Sequence, residues 1–174
     1  MRVGIVGSRE FQHLDLVKDL VLTLEKGDVV VSGGARGTDR TAAEYGRFLN
    51  LEVDEKLPQH EPSAPRHVGI GALFARNRLI AEGCDELHAF INHGLRSNGT
   101  FDTVLKAARL GRLIFIHYSN GDMRDFMFPA PPTKRRVEQL VYYWEGETHA
   151  AAAPVSDFDA LSAEAAAADV PGRE

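Results

Sequence analysis

The segment Val29-Val30-Val31-Ser32-Gly33-Gly34-Ala35-Arg36-Gly37-Thr38-Asp39-Arg40 runs a β-branched apolar stretch into a turn with three glycines. Ala42, Ala43 and Phe48 then resume at helical spacing. Strand, glycine turn and helix together let backbone N–H groups at a helix N-terminus approach an anion. A Cβ would obstruct that approach, and the turn is expected to visit positive φ. Ser32, Gly33, Gly34, Ala35, Arg36, Gly37 and Asp39 are therefore candidate ligand-binding residues. Thr38 or Asp39 could equally cap the helix, and Asp39 could accept from ribose hydroxyls. No Lys-Ser/Thr follows the glycines and GxGxxG is absent, so neither the P-loop nor the dinucleotide fingerprint is present.

Three further groups could contribute. Gly7-Ser8-Arg9 offers a hydroxyl and a guanidinium able to pair bidentately with a phosphate, although the glycine could simply turn the chain. In Arg76-Asn77-Arg78 the two arginines cannot share one helical face, so at most one of them points into a cleft. Ser97-Asn98-Gly99-Thr100 precedes Asp102 and could cradle a second part of the ligand, or act only as a cap. The seven histidines form no HExxH or H-x-x-x-H pair, so no metal ligand set is expected. His60 and His67 could line a pocket mouth, while the lone Cys84 has no disulfide partner and is expected to pack.

These residues must be positioned by alternating strands and helices. Strands are expected at 3–6, 29–31, 51–54, 86–91 and 113–117. Helices are expected at 14–24, 38–50, 68–82 and 99–110, on the spacing of apolar residues such as Leu14, Val17, Val21 and Leu24. Residues 57–65 carry three prolines and read as a loop. The alternation predicts an α/β fold: a three-layer Rossmann-like sandwich with a mostly parallel sheet of five or more strands. Ligands in such folds sit beyond the carboxyl ends of the strands, where the turns after strands one, two and four converge. The predicted division is a domain over 1–118, a C-terminal extension over 119–149, and a tail over 150–174. The extension holds a proline-restricted segment at 126–132 and an amphipathic helix at 133–144. The tail has ten alanines in 25 residues and is expected to be solvated or marginally helical.

Composition sets limits on function. A hydrophobic fraction of 44% and a charged fraction of 26% suit a globular domain with its own core. Of the net charge of −5, the last 25 residues carry −4 from five acids and one arginine, which leaves residues 1–149 near neutral. A dedicated nucleic-acid packaging protein would carry a strong positive field, and this chain does not. No stretch of about 20 apolar residues and no signal-peptide pattern appears, so a cytoplasmic protein with no membrane partner is expected.

Val6-Gly7-Ser8-Arg9-x-Phe11, Ser32-Gly33-Gly34-Ala35-Arg36-Gly37-x-Asp39, Arg76-Asn77 and Ser97-Asn98-Gly99-Thr100 follow the order and spacing of the SLOG superfamily. Over residues 1–118 the chain most resembles the YspA-type members, small proteins of bacteria and phages. The superfamily also holds the LOG phosphoribohydrolases and the DNA-processing protein DprA. The resemblance implies a Rossmann-like sheet with a site for a nucleotide or nucleotide-derived ligand, and a homo-oligomer. Tyr142-Tyr143-Trp144 would supply an interface or close the monomer's own core. LOG enzymes remove the base from nucleoside monophosphates with an arginine, matched here by Arg76, and a glutamate of P-G-G-x-G-T-x-x-E. That glutamate position falls on Thr103, which cannot act as a carboxylate base.

Three readings follow. The first is a binder of a nucleotide-derived molecule with no implied cofactor. The second is an N-glycosidic hydrolase in which Arg76 and Asp102 are catalytic. The third is a DprA-like single-stranded DNA binder using Arg36, Arg40, Arg76, Arg78 and Lys134-Arg135-Arg136.

Overall fold

The computed structural model describes residues 1–59 and 66–142. Val3 to Val6 and Val29 to Val31 are β-branched or small and buried on both sides, and they form β1 (Arg2–Gly7) and β2 (Val29–Ser32). These lie with β3 (Glu52–Glu55), β4 (Glu86–Ile91), β5 (Leu113–Tyr118) and β6 (Met123–Phe126) in one sheet ordered β3-β2-β1-β4-β5-β6. All pairs are parallel except β5 with β6. The alternation of β1 is visible in its contacts. Val3 and Ile5 pack with Val30, Phe90, Val17, Val21 and Ala42 on one face, whereas Val6 packs with Val31, Leu87, Ala89 and Ile91 on the other.

Helices α1 (Leu14–Leu22) and α2 (Thr38–Phe48) cover the first face. The second face is covered by α3 (Arg66–Gly83) and α4 (Asn98–Arg109), which pack on each other, and α5 (Lys134–Tyr142) lies against α4. Val137 and Val141 of α5 are fully buried, so the segment after β5 is continuous with the main core. This is the predicted three-layer α/β architecture, with a sheet of six strands.

Strand β6 was not apparent in the sequence. Its four residues, MRDF, include two charges and pair antiparallel with β5 at the sheet edge, where one face meets solvent. Only Ser119 to Asp122 separate the two strands, and within that turn Tyr118 N donates to Asp122 O at 2.9 Å while Tyr118 O accepts from Gly121 N at 3.0 Å. A link this short cannot make the crossover that a parallel strand requires. Cys84 is buried beneath β1, and burial pushes its thiol up to about 11, which suits packing and not nucleophilic chemistry. No helix among the described residues is long and apolar enough to cross a membrane. Tyr143, Trp144, His60 and the 150–174 tail lie outside the described residues.

Candidate functional site

The strand order reverses between β1 and β4, and a cavity of about 550 Å³ opens there beyond the carboxyl ends of the strands. One wall is the turn after β1, with Gly7, Ser8 and Arg9. The opposite wall is the start of α4, with Ser97, Asn98, Gly99, Thr100 and, one turn on, Thr103. Helix α3 supplies the third side through Ile70, Leu73, Phe74, Arg76, Asn77 and Ile80. Ala35 and Asp39 reach in from the turn after β2.

The start of α4 is left without a side-chain cap. Ser97 occupies the N-cap position in extended conformation, yet its side chain makes no capping hydrogen bond. Its hydroxyl instead meets the Thr100 hydroxyl at 2.8 Å. The first intrahelical bond runs from Phe101 N to Ser97 O at 2.8 Å, so no side chain quenches the partial positive charge of the first turn. Asn77 fixes this helix start from α3: its Nδ2 donates to Gly99 O at 3.3 Å and to Asp102 Oδ2 at 2.9 Å. Tyr142 secures it from α5, accepting from Ser97 N at 3.2 Å.

The glycine turn after β2 is arranged differently from the phosphate cradle expected of it. Gly37 takes φ +81, a conformation that favours glycine, and an added Cβ would lie 2.5 Å from Arg9 O. Gly33 is required by close approach: a Cβ there would meet Arg76 Nη1 at 1.8 Å. Ser32 is fully buried and its hydroxyl donates to Asp39 O at 3.1 Å. Arg36 is exposed and pairs with Glu10 of the neighbouring turn. Ser32, Gly33, Gly34, Arg36 and Gly37 are thus outside the cavity lining, whereas Ala35 and Asp39 are part of it. These glycines bring the β1 turn, the β2 turn and α3 into contact.

Asp39 and Arg76 are the electrostatic centre of that contact. Asp39 is 3% exposed. Its Oδ1 accepts from Gly7 N and its Oδ2 from Gly33 N, both at 3.2 Å, so it caps nothing on its own helix. Arg76 is 9% exposed, with Nη1 3.6 Å from Asp39 Oδ2 and donating to Gly33 O at 2.5 Å. Its Nε is buried without a hydrogen-bond partner among the described residues. Burial pushes Asp39 up to about 6, against the opposing pull of Arg76 and the backbone donors Gly7, Ala35 and Gly33. Burial also lowers Arg76, against the charge of Asp39, but a guanidinium starts so high that it stays protonated.

Arg78 is exposed and pairs with Glu82 at 2.8 Å, so Arg76 is the arginine of that pair facing the cavity. Asp102 lies outside the lining and is held by Asn77 and Lys106. Ile70, Leu73, Phe74 and Ile80 were not among the expected site residues, and their helical spacing with Asn77 is the sequence signal that places them on one face. Asn92 was also missed: its Nδ2 donates to Glu10 O at 2.9 Å and its Oδ1 accepts from Gln12 N at 3.3 Å, bolting the β1 turn to the end of β4. Among the described residues no three His, Cys, Asp or Glu side chains gather as a metal-binding group.

No family model matches the chain, and no curated protein matches it. Among solved structures it is similar to the X-ray structure of DNA processing protein A (DprA) from Streptococcus pneumoniae, with a TM-score of 0.53 and 22% identity. The match covers 66% of this chain and 49% of that one, so the chain spans about half the length of that protein. At this identity the likeness is one of fold alone: a Rossmann-like, mostly parallel sheet.

Proposed function

We propose that the cavity between β1, α3 and α4 binds a nucleotide or nucleotide-derived ligand. A phosphate would sit on the uncapped first turn of α4 beside Arg76, and the uncharged portion would lie against Ile70, Leu73 and Phe74. The observation that carries this reading is the first turn of α4, which no side-chain hydrogen bond caps, on the same cavity as Arg76, whose buried Nε has no hydrogen-bond partner among the described residues. An orphaned buried guanidinium N–H is costly unless something accepts from it. A volume of about 550 Å³ is within the usual range for small-molecule sites.

Recognition is favoured over hydrolysis by what faces the cavity. Thr103 stands where a catalytic carboxylate would be needed, and Asp39, the carboxylate in the lining, is engaged by two backbone amides. Thermal-shift screening with AMP, ADP-ribose and cyclic dinucleotides tests the reading. A ligand at about 100 times its Kd adds about 2.7 kcal/mol of stability, so at least one class should raise Tm by several degrees. No shift with any of them would end it. Release of free base from a nucleoside monophosphate, lost in Asp102→Asn, would restore the hydrolase reading.

The fold shared with DNA processing protein A favours one second reading, a single-stranded DNA contact, in keeping with that protein's name. Arg36, Arg40 and Arg78 are exposed, as are Lys134, Arg135 and Arg136 on α5. A gel shift with an oligonucleotide that weakens with salt would support it, and no retardation at low salt would remove it.

A further inference from the structure

Asp39 has no role in the reading above, yet it is the carboxylate that lines the cavity among the described residues. It ties together the ends of β1 and β2 through Gly7 N and Gly33 N, and reaches α3 through Arg76. The Arg76 guanidinium is shared. Nη1 serves Gly33 O and faces Asp39, while Nε has no hydrogen-bond partner among the described residues. A ligand anion drawn to Arg76 would therefore approach a cation already partly neutralised by a buried carboxylate.

We propose that Asp39 is a positioning residue that competes with the ligand's anion for the charge of Arg76, so that protonating Asp39 tightens anion binding as pH falls. The proposal rests on the cavity being an anion site. The groups acting on this pair from surrounding elements are Arg9 of the β1 turn and Asp102 of α4, which act on Arg76, together with the backbone donors Gly7, Gly33 and Ala35. No histidine lines the cavity among the described residues. Burial holds Asp39 at about 6, so it ionises inside the range from pH 5 to 8. Below that value the carboxyl is neutral and the cavity gains one positive charge. By reciprocity, an anion bound beside Arg76 must raise the Asp39 midpoint.

The test is calorimetric titration of the whole protein with inorganic sulfate, whose charge is constant from pH 5 to 8, on wild type and Asp39→Asn. Wild type should bind sulfate about tenfold more tightly at pH 5 than at pH 8, the scale set by one charge beside an ion pair. Asp39→Asn should lose that pH dependence and bind at pH 8 nearly as wild type does at pH 5. AMP, whose own ionisation near pH 6 is common to both proteins, should show the same difference between them. If Asp39→Asn does not fold, carboxyl carbon NMR of wild type gives the Asp39 midpoint with and without saturating sulfate or AMP, and a rise is expected. An unmoved midpoint, or a wild-type affinity for sulfate independent of pH, overturns the competition while leaving the cavity reading intact. No binding of sulfate or AMP at either pH overturns this proposal, and the cavity reading falls with it when ADP-ribose and cyclic dinucleotides also fail to bind.

Discussion

Replacing Arg76 by methionine removes the charge from the buried pair while keeping most of the side chain's length and apolar stem. In wild type the rise of Asp39 from its ordinary 3.8 to about 6 means that ionising it in the fold costs about 3 kcal/mol. The sign follows directly. The native state binds this proton more tightly than the unfolded chain, so the Asp39 contribution favours folding below pH 3.8 and is lost as pH rises to about 6. Removing Arg76 takes away the opposite charge that holds Asp39 down, and at pH 8 leaves a carboxylate buried without its cation. Breaking a buried pair in this way costs about 3–5 kcal/mol. At pH 5 most of Asp39 is protonated, and the loss reduces to the hydrogen bond to Gly33 O and some packing, about 1–2 kcal/mol. Urea unfolding of Arg76→Met and wild type at both pH values measures the difference. Comparing the two proteins at each pH cancels other titrating groups, notably His88, whose slope runs the opposite way. The variant should be more destabilised at pH 8 than at pH 5 by about 2 kcal/mol. An equal loss at both, or a larger one at pH 5, would refute the account of the pair.

Gly33→Ala should mimic that variant, because its Cβ would come within 1.8 Å of Arg76 Nη1 and 2.7 Å of Asp39 Oδ2 and expel the guanidinium; urea unfolding should show a loss of about 3 kcal/mol at pH 8. His88 hydrogen-bonds His117 at 2.8 Å, and burial lowers both to about 4. The His88 contribution is therefore intact above pH 6.5 and disappears as pH falls to about 4, a loss of about 3 kcal/mol that His88→Phe should abolish in an acid-unfolding series. Tyr118→Phe removes the hydroxyl that donates to Val141 O at 2.8 Å and should cost about 1–2 kcal/mol, with hydrogen exchange speeding selectively in α5.

Much of this architecture is written in periodicity. Val3 to Val6 and Val29 to Val31 are continuous apolar runs because both faces of a parallel sheet are covered, and the helices follow their apolar spacing. β6 escaped notice because an edge strand half exposed to water needs no apolar run, and its antiparallel pairing is dictated by a turn of four residues. At the site, sequence pattern identified which turns converge but not what their glycines do. Glycine makes room equally for a phosphate or for a protein side chain. Gly33 makes room for Arg76, and only the packing of α3, 43 residues away, reveals it. Asp39 likewise reads as a helix cap until the amides of Gly7 and Gly33 are seen to occupy it.

The central position of β1 also has a consequence for the order of folding. It is the first strand in the chain, and one side pairs with β2 from Val29 onward, while the other side waits for β4, which begins at Glu86. Ser8 N donates to Phe90 O at 3.0 Å, so the wall carrying Ser8 and Arg9 closes only when that distant strand docks. The facing wall belongs to α4, later still. Contacts separated by so much chain form slowly, since loop closure must precede them. During synthesis from the N-terminus, no partial chain ending before α4 has both walls. Whatever occupies the cavity therefore acts on the completed sheet, trapping its final docking step and giving no help to its first.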